Sequence, residues 1–295
     1  MDSRRSALLA IAVAGMVHSG SALGKTPWDP NTRLMPEPVL TFEEQCRQAQ
    51  RRLTEEARAL QDQTRQAKDS EDLARLKHDL ARTYESIEGK GHDARQTYED
   101  ILRHHRTYSK FYEVAYRLGE LHTCILLPGT ARDPDKAMAY YREAIASSPP
   151  GQLIKQQAHL RLGELQYHRR EWQEARKNFE EAYRFDPAQL TIDDKGMTPR
   201  ERAERLRVLR SDSQMIRDAA LGMFVAAHRD PLDPAKTLMA LGELENKYAG
   251  DPKVVQVIQK ERDMTLKRGQ HLLPSMNSLM SFPGGVRPNE MAPSK

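Results

Sequence analysis

Few side chains in this sequence are spaced for chemistry. His104 and His105 are adjacent, so on a helix their rings point about 100° apart and do not chelate one ion. His122 and Cys124 stand two apart, but neither an acid nor a glycine elbow accompanies them to make a working thiol–base pair. The carboxylates of Glu180 and Glu181 read as a solvated helix face, and Trp28 and Trp172 as a linker residue and a packing residue. The sequence holds no phosphate-cradling glycine loop, zinc-protease helix or haem-attachment pair. A cofactor, a metal site and enzyme activity are therefore not expected. Cys46 and Cys124 are the two cysteines, and they form the one pair available for a disulfide after export.

The elements that carry these groups are expected to be helical. Only 38% of the 295 residues are hydrophobic and 6% aromatic, against 30% charged, which is too little Val, Ile and aromatic content for a large β-sandwich or parallel sheet. The 46 basic and 42 acidic residues nearly cancel to +4, so the balance calls for no polyanion, and nucleic acid is not expected as a partner.

Residues 1–24 have the grammar of a signal peptide: Arg4-Arg5 at the start, an apolar run from Ser6 to Val17, then Gly20, Ser21, Ala22 and Gly24. Cleavage is expected near Ala22 to Gly24, by the general or the twin-arginine route, leaving a periplasmic or secreted chain. No later segment is long and apolar enough to span a bilayer. Residues 25–40 carry Pro27, Pro30, Pro36 and Pro38 and read as an extended linker. Thr41 and Glu44 then spell a capping box. It opens an amphipathic helix over 41–68, with Cys46, Ala49, Leu53, Ala57 and Leu60 on one stripe. The stripe packs on the rest of the chain or, as the alternative, forms a coiled-coil seam that would make the protein an oligomer.

From residue 69 the signal is repetition. Leu162-Gly163 is followed by Ala175, Phe179, Ala182 and Pro187, at offsets that suit two antiparallel helices. Small residues sit where backbones approach, large ones fill the gap, and proline stops the second helix. Leu118-Gly119 leads in the same way to Ala137, Tyr141, Ala144 and Pro149 through a longer turn. Leu206 leads to Ala219, Met223, Ala226 and Pro231, with a capping box at Thr198-Pro199-Arg200-Glu201. Leu80, Ala81 and Tyr84 lead to Ala94 and Tyr98, and Leu241-Gly242 to Val254 and Ile258. Leu-Gly-Glu-Leu recurs at 118, 162 and 241.

On these residues the chain resembles the tetratricopeptide repeat family, with Sel1-like features in the unit around Asp135–Tyr141. It departs from the family pattern at His159 and Gln166. The resemblance implies an all-α superhelical solenoid of antiparallel helix hairpins over residues 69–271, closed by a capping helix from Pro252 to about Lys267 and preceded by the long 41–68 helix. Residues 272–295 read as a disordered tail with an apolar island. The resemblance also implies a concave groove lined by the first helix of each unit. It would present Arg75, His78 and Arg82, then Glu113, Tyr116 and Glu120, then Leu160, Glu164 and Tyr167, then Glu201 and Glu204. Such a groove is basic at one end and acidic and aromatic in its centre, and suits a basic or mixed-charge peptide segment. The expected function is a non-catalytic scaffold or assembly adaptor that binds another protein, as part of a cell-envelope complex. The alternative is an envelope coordinator organised as an oligomer through residues 41–68.

Overall fold

The computed structural model describes residues 41–123, 132–230 and 232–272. The signal peptide, the proline-rich linker, Trp28, Cys124 and the tail beyond Leu272 lie outside them. The described residues form ten α-helices and one 3-10 turn and include no strand, so the all-α expectation holds. The chain divides into two compact units, with the boundary inside α5, Pro134–Ser147.

The first unit begins with α1, Phe42–Gln66. Glu44 N–H donates to Thr41 Oγ1 (3.3 Å) and Thr41 N–H donates to Glu44 Oε2 (2.8 Å), so the capping box is closed in both directions. The apolar stripe turns onto α2, Ser70–Ser86, with Ala57 buried and Cys46, Leu53 and Leu60 half-buried. Gln50 fixes the register: its amide donates to the Ser86 carbonyl (3.1 Å) and accepts from Glu88 N–H (3.1 Å). Asp69 caps α2 by accepting from Glu71 and Asp72 N–H. Helices α3, Gly91–His104, and α4, Phe111–Thr123, follow, each against its predecessor. Leu80, Ala81, Tyr84, Ala94, Tyr98 and Leu118 are all buried at the positions the repeat spacing assigned to packing.

The second unit holds α6, Leu153–His168; α7, Trp172–Arg184; α8, Pro199–Ala226; α9, Pro234–Lys247; and α10, Pro252–Leu272. Its core joins Phe179, Ala175, Ala182, Leu221, Phe224, Leu241, Val254 and Ile258. Gly163 lies against the fully buried Phe179 ring, so close that a Cβ there would stand 2.7 Å from Cε1 and 2.8 Å from Cδ1. Only a residue without a side chain lets α6 and α7 approach that far. The helices are joined by a turn in which Arg170 takes a positive φ of 64° and Glu171 N–H donates to the Gln166 carbonyl (3.0 Å).

Two expectations are overturned in this unit. The hairpin over 198–231 does not form, because α8 is a single helix of 28 residues. The spacing from Leu206 to Ala219 counted residues without requiring a turn. No glycine or proline interrupts 200–221, and all of 200–210 except Val208 are strong helix formers. Ser213, where the turn would fall, is instead held in the helix: its hydroxyl donates to Gln156 Oε1 (2.8 Å) and its carbonyl accepts from Gln156 Nε2 (3.1 Å). Ala219 is consequently exposed rather than packed. The capping helix α10 also runs to Leu272, beyond Lys267.

The second correction concerns Leu-Gly-Glu-Leu at 241. Leu241 and Leu244 are buried as at 162–165, but a Cβ at Gly242 would meet nothing within 4 Å. The same tetrapeptide thus carries a packing glycine in α6 and a dispensable one in α9. Gly242→Ala should therefore stabilise the protein by about 0.5–1 kcal/mol in urea denaturation, through helix propensity and reduced unfolded-state freedom. A loss of stability would show that the site is closed.

Candidate functional site

The closest approach to a catalytic arrangement is at the start of α2. Ser70 Oγ lies 3.2 Å from His105 Nδ1, and Lys77 Nζ lies 3.3 Å from His105 Nε2. An ammonium only donates, so Nε2 accepts, Nδ1 carries the proton, and the imidazole has no lone pair to offer the serine. Lys77 is itself paired with Asp100. His104 turns away to Asp100 Oδ1 (2.9 Å), so the two adjacent histidines serve different neighbours. This is a structural network without an activated nucleophile.

In the first unit, Arg75, His78 and Arg82 share a face of α2, and Glu113, Tyr116 and Glu120 lie on α4. The two faces meet: His78 Nε2 is 4.0 Å from Glu113 Oε2, and Arg117 Nη1 is 3.6 Å from Glu85 Oε2. Behind them, Tyr98 of α3 donates to Glu85 Oε1 (2.6 Å), and its ring meets His78 edge-on. Burial raises the Glu85 carboxyl against the opposing pull of Arg117 and Tyr98. His78 is only 3% exposed, and its Nδ1 is paired with the Tyr108 hydroxyl (3.1 Å). Tyr116 is likewise buried, so neither His78 nor Tyr116 offers a ligand the surface that the groove expectation assigned to it. Arg75 is engaged along its own helix by Asp72 and Asp79. Arg82, exposed, and Lys110, half-exposed, pair with no carboxylate among the described residues. Glu85, Arg117 and Lys110 were not foreseen, although Glu85 continues the three- and four-residue steps of 75, 78 and 82.

The His78 imidazole is pushed down to about 3, first by burial and then by Arg82, Lys110 and Arg117. The unfolded chain takes up this proton below about pH 6.5, whereas the folded chain refuses it until about pH 3. The contribution is therefore intact above pH 6.5 and is lost on acidification through that window. Between pH 7.5 and 5 the loss should amount to about 1–2 kcal/mol. His159 and His228, also held down by burial, act in the same direction. The informative quantity is the difference between wild type and His78→Gln in urea denaturation. The variant should show a visibly flatter pH dependence, and an unchanged slope would refute the assignment.

In the second unit the expected groove residues do not form one surface. Leu160 is part of the buried core, because α8 covers that side of α6. Glu164 is engaged by Arg161 on its own helix (3.0 Å). Tyr167 packs edge-on against Trp172, with ring centroids 5.0 Å apart. Glu201 closes the Thr198 cap, and Glu204 pairs with Arg207 on the exposed part of α8. The two departures from the repeat pattern have a shared cause. His159 Nδ1 approaches Asn178 Oδ1 (2.9 Å), and Asn178 Nδ2 donates to Gln166 Oε1 (2.8 Å). A polar bridge thus joins α6 to α7 through both residues. Cys46 is a half-buried thiol on α1, and its expected partner Cys124 lies outside the described residues.

No family model matches the chain, and no curated protein matches it. Among solved structures it is similar to a crystal structure of BtubC (BKLC) from P. vanneervenii. The identity is 19%, over 87% of this chain and 100% of that one, with a TM-score of 0.34. Among the described residues, no helix is long and apolar enough to cross a membrane.

Proposed function

We propose that the protein is a non-catalytic interaction scaffold of stacked helical hairpins, a tetratricopeptide-like solenoid that is exported and receives a partner segment on the surface lined by α2 and α4. The observation that carries this reading is the pairing of those two helices. They are the first helices of successive hairpins in the repeat pattern, and they meet through His78–Glu113 and Glu85–Arg117. Around the junction, Arg82 and Lys110 are left without carboxylates, while Glu113 faces an imidazole that burial keeps neutral. A segment bearing both charge signs complements such a surface. For the alternative, an oligomer through residues 41–68, the seam is already occupied by α2, and only the end near Phe42, which is 60% exposed, is left uncovered.

The test is co-purification of the tagged full chain from native envelopes, followed by mass spectrometry, for wild type and for Arg82→Glu/Glu113→Lys. A partner recovered by the wild type and lost by the charge-reversed variant is the expected result. An identical set of captured proteins would remove the surface from consideration. Fractionation with N-terminal sequencing tests the export reading, with a new terminus expected near residues 23–25.

A further inference from the structure

The last helix pair ends beside an apolar surface that the described residues leave open. Glu245 of α9 accepts from Gln259 Nε2 (3.3 Å) and Arg262 Nη1 (2.5 Å) of α10, which sets the register of the two antiparallel helices. About six residues back along α9 and about six on along α10, Met239 and Leu266 stand at one level, 69% and 50% exposed. Leu266 falls within about 40° of both Gln259 and Arg262 round α10, so it is on the side that meets α9. On α9, the half-buried Leu238 is within about 20° of Glu245, and Met239 lies one step further from the core. Leu232, 92% exposed, precedes α9 at the same end of the pair. Half of the large apolar side chains left exposed among the described residues are therefore gathered where α10 ends.

The chain leaves α10 at Leu272 and passes directly into an apolar segment with Leu273, Met276, Leu279, Met280 and Phe282. Residues 272–286 carry no charged side chain, in a sequence that is 30% charged. We infer that residues 273–282 fold back along the outer seam between α9 and α10 and cover Met239 and Leu266. The reach is ample. Leu266 lies about 9 Å back from the end of α10 along its axis, whereas ten extended residues span about 33 Å. Pro274 breaks the helical ladder just past Leu272, where the chain must reverse. Tethering selects the occupant: a segment attached a few residues away acts at about millimolar effective concentration or above, which neither a second copy nor a separate protein matches when dilute. An uncharged segment also gives up no ionic hydration when it is covered. The inference is independent of the α2–α4 surface.

Initial rates of methionine oxidation by dilute hydrogen peroxide test it on the full chain, read by peptide mass spectrometry, because a thioether reacts according to its access. Met215 of α8, 61% exposed, is the internal reference for Met239. A segment docked about nine-tenths of the time should make Met239 react about tenfold more slowly than Met215. Leu279→Asp/Phe282→Asp should bring the two methionines to the same rate. Val286→Asp/Met291→Asp, which adds the same charge beyond the segment, should keep Met239 protected, and both variants should keep wild-type helical circular dichroism. Protection by the chain's own segment is unchanged on dilution, whereas protection by a second copy fades. Wild-type Met239 reacting as fast as Met215, protection that fades on dilution, protection that survives Leu279→Asp/Phe282→Asp, or an equal loss in the charge-matched control would overturn the inference.

Discussion

Truncation of Phe179 to alanine is expected to cost about 3–5 kcal/mol, the range for deleting a fully buried aromatic ring and leaving a void. The ring is inaccessible to solvent and is enclosed by Ala175, Ala182 and the bare backbone of Gly163. Gly163→Ala should cost about 1–3 kcal/mol, because the overpacking penalty exceeds the roughly 1 kcal/mol that alanine gains in helix propensity. The double variant is the sharper measurement. With the ring gone, the new Cβ enters the void it would otherwise have collided with, so the combined loss should fall short of the sum by about 1 kcal/mol or more. Strict additivity in urea denaturation would mean that the contact with Phe179 is not what requires glycine at 163.

Arg229→Ala should be the next most damaging change, at about 2–3 kcal/mol. Glu261 on α10 is 4% exposed and is held by a bidentate pair with Arg229, just beyond α8. Removing the guanidinium strands the carboxylate in a nearly dry site. The estimate sits below the range for fully buried pairs because the Arg229 side chain keeps 30% exposure. Most of the cost belongs to the abandoned carboxylate, so Arg229→Ala/Glu261→Gln should recover a large part of it. A double variant no better than Arg229→Ala would place the energy in the packing of the arginine stem instead.

Local rules were legible where one residue type has one physical use. The caps at Thr41 and Thr198 were readable because a hydroxyl followed three residues later by Glu satisfies helix-end amides in either context. Ala175, Phe179 and Gly163 were readable because their sizes interlock. The hairpin in 198–231 was misread because side-chain offsets say nothing about whether the backbone turns, and Gln156 recruits Ser213 from 57 residues away. Gly242 was misread because a repeated tetrapeptide does not encode whether an aromatic ring stands opposite. At the candidate surface, charges on α2 were visible as a periodic face, but the burial of His78 also draws on Tyr108, which lies outside the repeat spacing.

The uninterrupted course of α8 gives one rod two regimes of breathing. Beyond Ser213 its amides sit over the core, and they should exchange with deuterium only when the surrounding unit opens. Ahead of Ser213, the helix is held by its own ladder, the Thr198 cap, the Arg202–Asp194 pair and the half-buried Leu206 and Leu209, with no core above it, so fraying should run inward from Pro199. The Gln156 clamp is where that wave should halt. A protection profile that steps up between Ser211 and Ile216 is therefore expected, and Gln156→Ala should carry the step further toward the C-terminal end of the helix.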